Sequence, residues 1–283
     1  MLLFVTFPLL LVAETPELLK RGEYLVRATG GCSCHTVPGS KNQFMAGGRG
    51  IKTPFGIIYS TNISSDKKTG IGSWQAEDFL RSMSEGIRAD GKHLYPVFPY
   101  TSFTRMKKAD MAAINAYIFS LPPIEKTNRS NEIFLPLRLR FGLFFWKFIF
   151  FKPGEYQADK NRSDEWNRGS YLVNAMAHCG ECHTPRNLIG GLKKDLLFAG
   201  SVDGPEGQLA PNITPDKETG IGNWSLADMT WFLGSGQKPD GDDMQGLMLE
   251  VIDQGYQYLN PADLKAIAVY LKSLKPVKRK VGK

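Results

Sequence analysis

Cysteine is scarce in this chain of 283 residues, and none is spare: all four sit in two short clusters, Cys32 with Cys34 and Cys179 with Cys182. A disulfide framework therefore has no material, and cysteine use is local and chemical. No dinucleotide-binding glycine fingerprint, phosphate loop or hydrolytic motif occurs, so substrate chemistry of those kinds has no residues to carry it. Long apolar runs are missing too. Met1 to Ala13 and Phe141 to Phe151 are both well short of the ~20 residues a spanning helix needs. Strand-type alternation is sparse. The formal net charge is +7, but no nucleic-acid motif accompanies it. The densest basic cluster is the tail Lys272, Lys275, Lys278, Arg279, Lys280 and Lys283, which suits an acidic protein or an anionic membrane surface better than nucleic acid.

The first apolar run has the length of a signal h-region and is closed by Glu14-Thr15-Pro16. It has no Lys or Arg before it, and Leu11-Val12-Ala13 is a passable cleavage site. Residues 1–13 read as a signal peptide or short N-terminal anchor, and an ordinary buried helix is the alternative. Export is the expectation.

What is present in quantity is self-similarity. Arg21-Gly22-Glu23-Tyr24-Leu25-Val26 matches Arg168-Gly169-Ser170-Tyr171-Leu172-Val173. Asn62-Ile63, Asp66, Thr69-Gly70-Ile71-Gly72 and Trp74 match Asn212-Ile213, Asp216, Thr219-Gly220-Ile221-Gly222 and Trp224. The closing segments Asp110 to Leu121 and Asp263 to Leu274 also align. Two copies of one domain are implied. Each reads as a first helix, a loop rich in Gly, Pro and Asn, an amphipathic helix after the Trp, and a last helix. Met111, Ile114, Tyr117, Ile118 and Leu121 recur at helical spacing in copy one, as do Leu264, Ile267, Tyr270, Leu271 and Leu274 in copy two.

At the end of the first helix in copy two stands Cys179-Gly180-Glu181-Cys182-His183, the C-x-x-C-H attachment pattern of a c-type haem. Two thiols at this spacing can each add to one porphyrin vinyl group, and the next residue supplies the proximal nitrogen. A zinc site would need a fourth ligand and usually a second Cys or His pair. Copy one carries the same motif with one residue deleted, Cys32-Ser33-Cys34-His35. Cys34 and His35 match Cys182 and His183. Cys32 has one spacer fewer, so its bond requires adjusted backbone geometry; it either attaches or remains a thiol. Covalent haem attachment outside the cytoplasm agrees with export.

The sixth ligands differ between copies. Met248 is the candidate for the second iron, with Met244 competing and core filling as the bland alternative. The aligned residue in copy one is Phe98, which cannot ligate iron. Met106 is the nearest methionine there, and it could equally pack onto the last helix. His93 or an open iron are the other possibilities. Phe141 to Phe151 reads either as interdomain packing over both haem pockets or as a docking surface for a membrane or partner subunit.

Taken together, Thr53-Pro54-Phe55-Gly56, Tyr59 to Ile63, Asp66 to Trp74, His93-Leu94-Tyr95-Pro96, Glu165 to Gly169 and His178 to Asn187 resemble one family: the di- and tri-haem cytochrome c subunits of bacterial membrane-associated dehydrogenases, such as those for alcohol, aldehyde and gluconate. The resemblance covers residues 17 to 275. It implies a mainly α fold of two tandem class I-like cytochrome c domains, at 17–125 and 163–276. An aromatic-rich linker at 126–162 joins them and a basic tail follows at 277–283. It implies two covalently bound haem c groups held through Cys32, Cys34, Cys179 and Cys182. The iron ligands would be His35, Met106, His183 and Met248, of which Met106 follows from position in the chain rather than from the family pattern. The expected role is one-electron transfer from a dehydrogenase catalytic subunit towards a quinone, a cytochrome or a terminal oxidase. The expected place is the periplasm at the outer face of the inner membrane, with peripheral membrane contact. The shortened motif and Phe98 depart from the family and leave open a rival: a haem enzyme of peroxidase or sulfur-oxidising type using the first haem.

Overall fold

A computed structural model describes residues 15–40 and 42–282 of the chain. The expected leader at residues 1–13 lies outside the described residues, as does Lys283.

Each copy is framed by its first and last helix. Helix α1, Pro16–Ala28, begins where Thr15 accepts a hydrogen bond from the Leu18 N–H, with Pro16 and Glu17 in the first turn and Arg27 in the last. Helix α7, Asp164–Tyr171, is capped the same way by Ser163 and continues through a wide turn at Leu172–Met176. The last helices are α4, Lys108–Ser120, packed on α1, and α11, Pro261–Lys272, packed on α7. The Arg-Gly pair preserved in the repeat marks the closest approach. A β-carbon on Gly22 would lie 2.1 Å from the Ala113 carbonyl oxygen, and one on Gly169 would lie 1.9 Å from that of Ala266. Any side chain there would push the helices apart.

The middle helices, α2 (Ala76–Glu85) and α9 (Leu226–Ser235), open on capping boxes, Gln75 with Asp78 and Ser225 with Asp228. They close on Gly86 and Gly236, both in the left-handed region. After them come α3, Tyr100–Phe103, in copy one and the longer α10, Gly246–Gln254, in copy two. Strands are few, as the sparse alternation predicts. Strands β1 (Gly50–Thr53), β2 (Gly56–Tyr59) and β3 (Glu132–Ile133) form one antiparallel sheet in that order, with Gly50 opposite Tyr59 and Ile57 opposite Glu132. The stretch between the copies is thus partly ordered into β3, α5 (Leu135–Arg138) and α6 (Gly142–Phe150).

The two copies meet reciprocally. Tyr24 of α1 donates to Asp263 at the start of α11 (2.6 Å), and Tyr171 of α7 donates to Asp110 at the start of α4 (2.6 Å). Each aspartate is also paired within its own copy, Asp263 with Arg168 and Asp110 with Arg21. The arrangement is that of a symmetric dimer interface written into one chain. Burial, together with Asp263, pushes the Tyr24 hydroxyl up to about 12. For Asp263 burial alone would raise the carboxyl, but the bonds from Arg168 and Tyr24 hold it below its ordinary value.

Candidate haem centres

The second centre is built where α7 runs out. After the wide turn at Leu172–Met176, His178 takes a positive φ of 41°, which turns the chain into the short helix α8, Gly180–His183. The His183 Nδ1 lies 2.7 Å from the Pro211 carbonyl oxygen. A carbonyl only accepts, so Nδ1 carries the proton and Nε2 is left as the free lone pair. Cys179, Cys182 and His183 all line one cavity of about 360 Å³, together with Met244, Met248 and Trp224. Burial raises both thiols to about 12 and lowers the imidazole, against the opposing pull of the Pro211 carbonyl. Among the described residues, no three His, Cys, Asp or Glu side chains gather as ligands for a bare metal ion. Two thiols, an imidazole with its lone pair free, two thioethers and an apolar wall around one cavity fit a covalently held haem.

The first centre shows how the chain absorbs the missing residue. Gly30, Gly31 and Cys32 have φ of 82°, 71° and 54°, three consecutive left-handed residues, and Ser33–His35 form a 3₁₀ turn where copy two has α8. Cysteine in that region costs roughly 1–2 kcal/mol. The imidazole is nevertheless placed as in copy two, with His35 Nδ1 2.7 Å from the Thr61 carbonyl. The Gly47 N–H donates to the His35 carbonyl at 2.7 Å, and the Gly200 N–H donates to that of His183 at the same distance. Burial pushes the Cys32 thiol up to about 12 and raises Cys34 as well.

Hydrogen bonds fix the register of the distal segments. The Leu94 N–H donates to the Gly86 carbonyl and the Met244 N–H to that of Gly236, both at 2.8 Å, so Phe98 stands where copy two has Met248. The Lys107 N–H donates to Tyr171 Oη and the Asn260 N–H to Tyr24 Oη, which sets Met106 opposite Leu259. Met106 is fully buried, and Leu259 does not line the second cavity. The repeat therefore gives Met106 a packing counterpart rather than a ligand counterpart. His93 matches the exposed Asp243 and lines a separate cavity of about 430 Å³ with Arg140, Phe141 and Phe144. None of residues 141–151 lines the second cavity, yet the run packs between the copies: Lys147 donates to the Glu85 and Gly86 carbonyls of copy one, and Trp146 Nε1 donates to the Ile189 carbonyl of copy two.

Sequence reading missed the residues that join the centres. Glu181, inside the second motif, accepts from Thr101 Oγ1 (2.7 Å) and Ser102 Oγ (3.1 Å) of α3 and pairs with Arg186. Arg49 donates to the Ser33 carbonyl inside the first motif (3.3 Å). It also pairs with Glu206 (2.8 Å) and with Glu250, two residues beyond Met248. Each attachment loop is thus tied to the distal segment of the other copy. Phe98, Phe103 and His178 continue the link as edge-on aromatic pairs at 5.5 and 5.4 Å. These are long-range pairings, and no local spacing announces them.

Tandem helical copies, each presenting two thiols and an oriented imidazole, define an electron-transfer protein of the c-type cytochrome class with covalently bound haem. Relatives agree. The chain is 36% identical to a protein named diheme cytochrome c-type from Cereibacter sphaeroides, over 92% of this chain and 90% of that protein. It is 40% identical to the fructose dehydrogenase cytochrome subunit of Gluconobacter japonicus over 93% of this chain and 54% of the relative. It is 39% identical to the gluconate 2-dehydrogenase cytochrome c subunit of Pantoea cypripedii over 91% and 59%. The chain belongs to this family of c-type cytochromes. It spans little more than half the length of the two dehydrogenase subunits. No family model matches the chain.

Proposed function

We propose that the chain is an exported dihaem cytochrome carrying single electrons from the catalytic subunit of a dehydrogenase towards a quinone, a cytochrome or a terminal oxidase. The observation that carries the reading is the doubled imidazole: His35 and His183 are each held by a carbonyl at 2.7 Å, beside a cysteine pair. A bound haem would supply one-electron redox chemistry without bond chemistry on a substrate. Cys179 and Cys182 would hold the second group, and Cys34 with Cys32 the first. His35 and His183 would each offer the free imidazole nitrogen to the iron. Met248 would offer its thioether to the iron of the second centre, with Met244 on the same cavity wall as competitor. Arg49 and Glu181 hold the two attachment loops against each other. The domains at 17–125 and 163–276, the joining stretch 126–162, the tail 277–283 and the periplasmic location belong to the same proposal.

The test is the mass of the denatured exported protein, paired with a pyridine haemochrome count. Two haems held by three or four thioethers are expected. One haem, on the second copy alone, would sink the two-centre reading.

A second reading, a haem enzyme working at the first centre, is favoured by one observation: Phe98 stands in the register of Met248. Met106 is the remaining sulfur ligand proposed for that centre, and its match with Leu259 speaks for packing. Carbon monoxide added to the reduced protein separates the cases. Binding to one haem of two marks an open first centre, and no binding marks two closed electron-transfer centres.

A further inference from the structure

Behind each motif histidine stands a cation that no local spacing announces. The Gly47 N–H donates to the His35 carbonyl, and the Gly47 carbonyl in turn accepts from the Lys126 ammonium at 2.8 Å. In copy two the Gly200 N–H donates to the His183 carbonyl, and the Gly200 carbonyl accepts from the Arg279 guanidinium at 2.6 Å. Lys126 and Arg279 hold one place in the repeat. The Lys126 N–H donates to Thr69 Oγ1 and the Arg279 N–H to Thr219 Oγ1, both at 3.0 Å. Each lies on the segment that follows the last helix of its copy, α4 or α11.

The same segment grips the carbonyl that fixes the imidazole. Asn62 follows Thr61 and Asn212 follows Pro211, and both asparagines are buried. Their side-chain amides donate to the Ile124 and Val277 carbonyls, each at 2.7 Å. They also donate to Thr69 Oγ1 (3.1 Å) and Thr219 Oγ1 (3.0 Å), and those hydroxyls donate to Asp66 and Asp216 at 2.7 Å. The two grips meet at the glycine. A β-carbon on Gly47 would lie 2.6 Å from the Thr61 oxygen, and one on Gly200 would lie 2.8 Å from the Asn212 nitrogen. The peptide that holds Nδ1 is thus pressed against the residue that the cation holds.

The basic cluster at the end of α11 is largely committed to this work. Besides Arg279, Lys272 donates to the Gly222 and Trp224 carbonyls at 2.8 Å, and Lys278 pairs with Glu218 at 2.6 Å. Lys275 and Lys280 are exposed. An ammonium serves copy one and a guanidinium copy two, so the position requires a charged donor and not a planar fork.

A partner on Nδ1 orients the ring and raises the basicity of the other nitrogen. We propose that Lys126 and Arg279 are positioning residues for the two haem centres. Each clamps the segment after the last helix onto the loop behind His35 or His183, so that the Thr61 or Pro211 carbonyl stays on Nδ1. The proposal rests on the two-centre reading for the haem that the imidazoles would meet.

The test is proton NMR of the full-length oxidised holoprotein, in which a ferric iron shifts the Nδ1 proton of its histidine ligand away from the other resonances. The readout is the exchange of each such proton with deuterium oxide. Arg279→Leu removes a hydrogen bond from a charged donor, and should speed exchange at one histidine by about tenfold while leaving the other unchanged. Lys126→Leu should do the reverse. Arg279→Lys should keep exchange slow, and Lys280→Gln, which removes the same charge from an exposed neighbour, should move neither proton. Wild-type exchange in Arg279→Leu overturns the proposal. So does acceleration of both protons by either leucine variant, which marks general loosening, or an equal effect of Lys280→Gln, which marks charge alone. Should Arg279→Leu fail to fold, Lys126→Leu decides the matter in copy one. A pyridine haemochrome count on the same samples keeps the two readings apart. One haem in the wild type would defeat the relay and leave the clamp to be decided by Arg279 at the second centre. Two haems with unchanged exchange would defeat the clamp and spare the relay.

Discussion

At the scale of single residues, the asymmetry of the two centres rests on few side chains. Met248→Leu removes the thioether proposed for the second iron while keeping the cavity apolar. Spectroelectrochemical titration should show one of two potentials falling by on the order of 0.1 V, within the ~0.8 V that axial ligation spans. Carbon monoxide should then bind where it did not before. An unchanged potential would transfer the role to Met244. Arg49 is a buried cation facing two carboxylates, and it sits between the first motif and the segment carrying Met248. Burial works against its charge, and the hydrogen bonds it donates to Glu250 and Glu206 hold its pKa above the ordinary value. Arg49→Met leaves both carboxylates without their partner and should cost about 3 kcal/mol in chemical denaturation. Neither Arg49 nor Glu181 was legible from the sequence as a functional residue. Each acts on a segment of the other copy, and no spacing rule reaches that far.

At the scale of elements, the helices follow their caps closely: Thr15, Ser163, Ser225 and Asn260 each start a helix by accepting an amide proton. The helix pairs are then clasped across the copies by Tyr24–Asp263 and Tyr171–Asp110. Each Tyr→Phe change should cost roughly 1.5–3 kcal/mol, as for a hydrogen bond to a charged acceptor. A double-mutant cycle with Asp263→Asn tests that for Tyr24. The clasp also predicts an acid limb. The Asp263 carboxyl is held below its ordinary 3.8 in the folded chain, so the stability it contributes is present above pH 3.8. That stability is lost as pH falls through the folded value, and Asp263→Asn should flatten this part of the stability–pH curve. Helix α6 predicts the opposite limb. Burial brings Lys147 down from 10.5 to about 8. Between those values the unfolded chain binds more protons, so stability should rise with pH across that interval. Lys147→Met should abolish the rise in a urea-midpoint series from pH 8 to 10.5.

At the scale of the whole molecule, the repeat gives two centres in reciprocal contact, each attachment loop lying against the distal segment of the other copy. The one-residue deletion in the first motif is absorbed locally by Gly30, Gly31 and Cys32. Inserting an alanine after Ser33 restores the longer spacing and releases Cys32 from the left-handed region. Stability should rise by about 1 kcal/mol. The thioether count from mass spectrometry should rise from three to four if the short motif now bonds only one of its two thiols. A count unchanged at four would establish that the shortened loop already bonds both thiols.

The sequence by itself determined the duplication, the attachment motifs with their histidines, the helical composition and the departure at Phe98. Each of these is a property of residue type at fixed short spacing, or of one stretch compared with another. Only the tertiary structure decided the rest. Two carbonyls, Thr61 and Pro211, set the tautomer of His35 and His183. Met106 acquired a packing counterpart in Leu259. The charged side chain of α6 turned inward and the phenylalanines outward. These outcomes depend on which groups far apart in the chain come within 3 Å of each other, and on which face of a helix is left with nothing against it. Local pattern encodes neither.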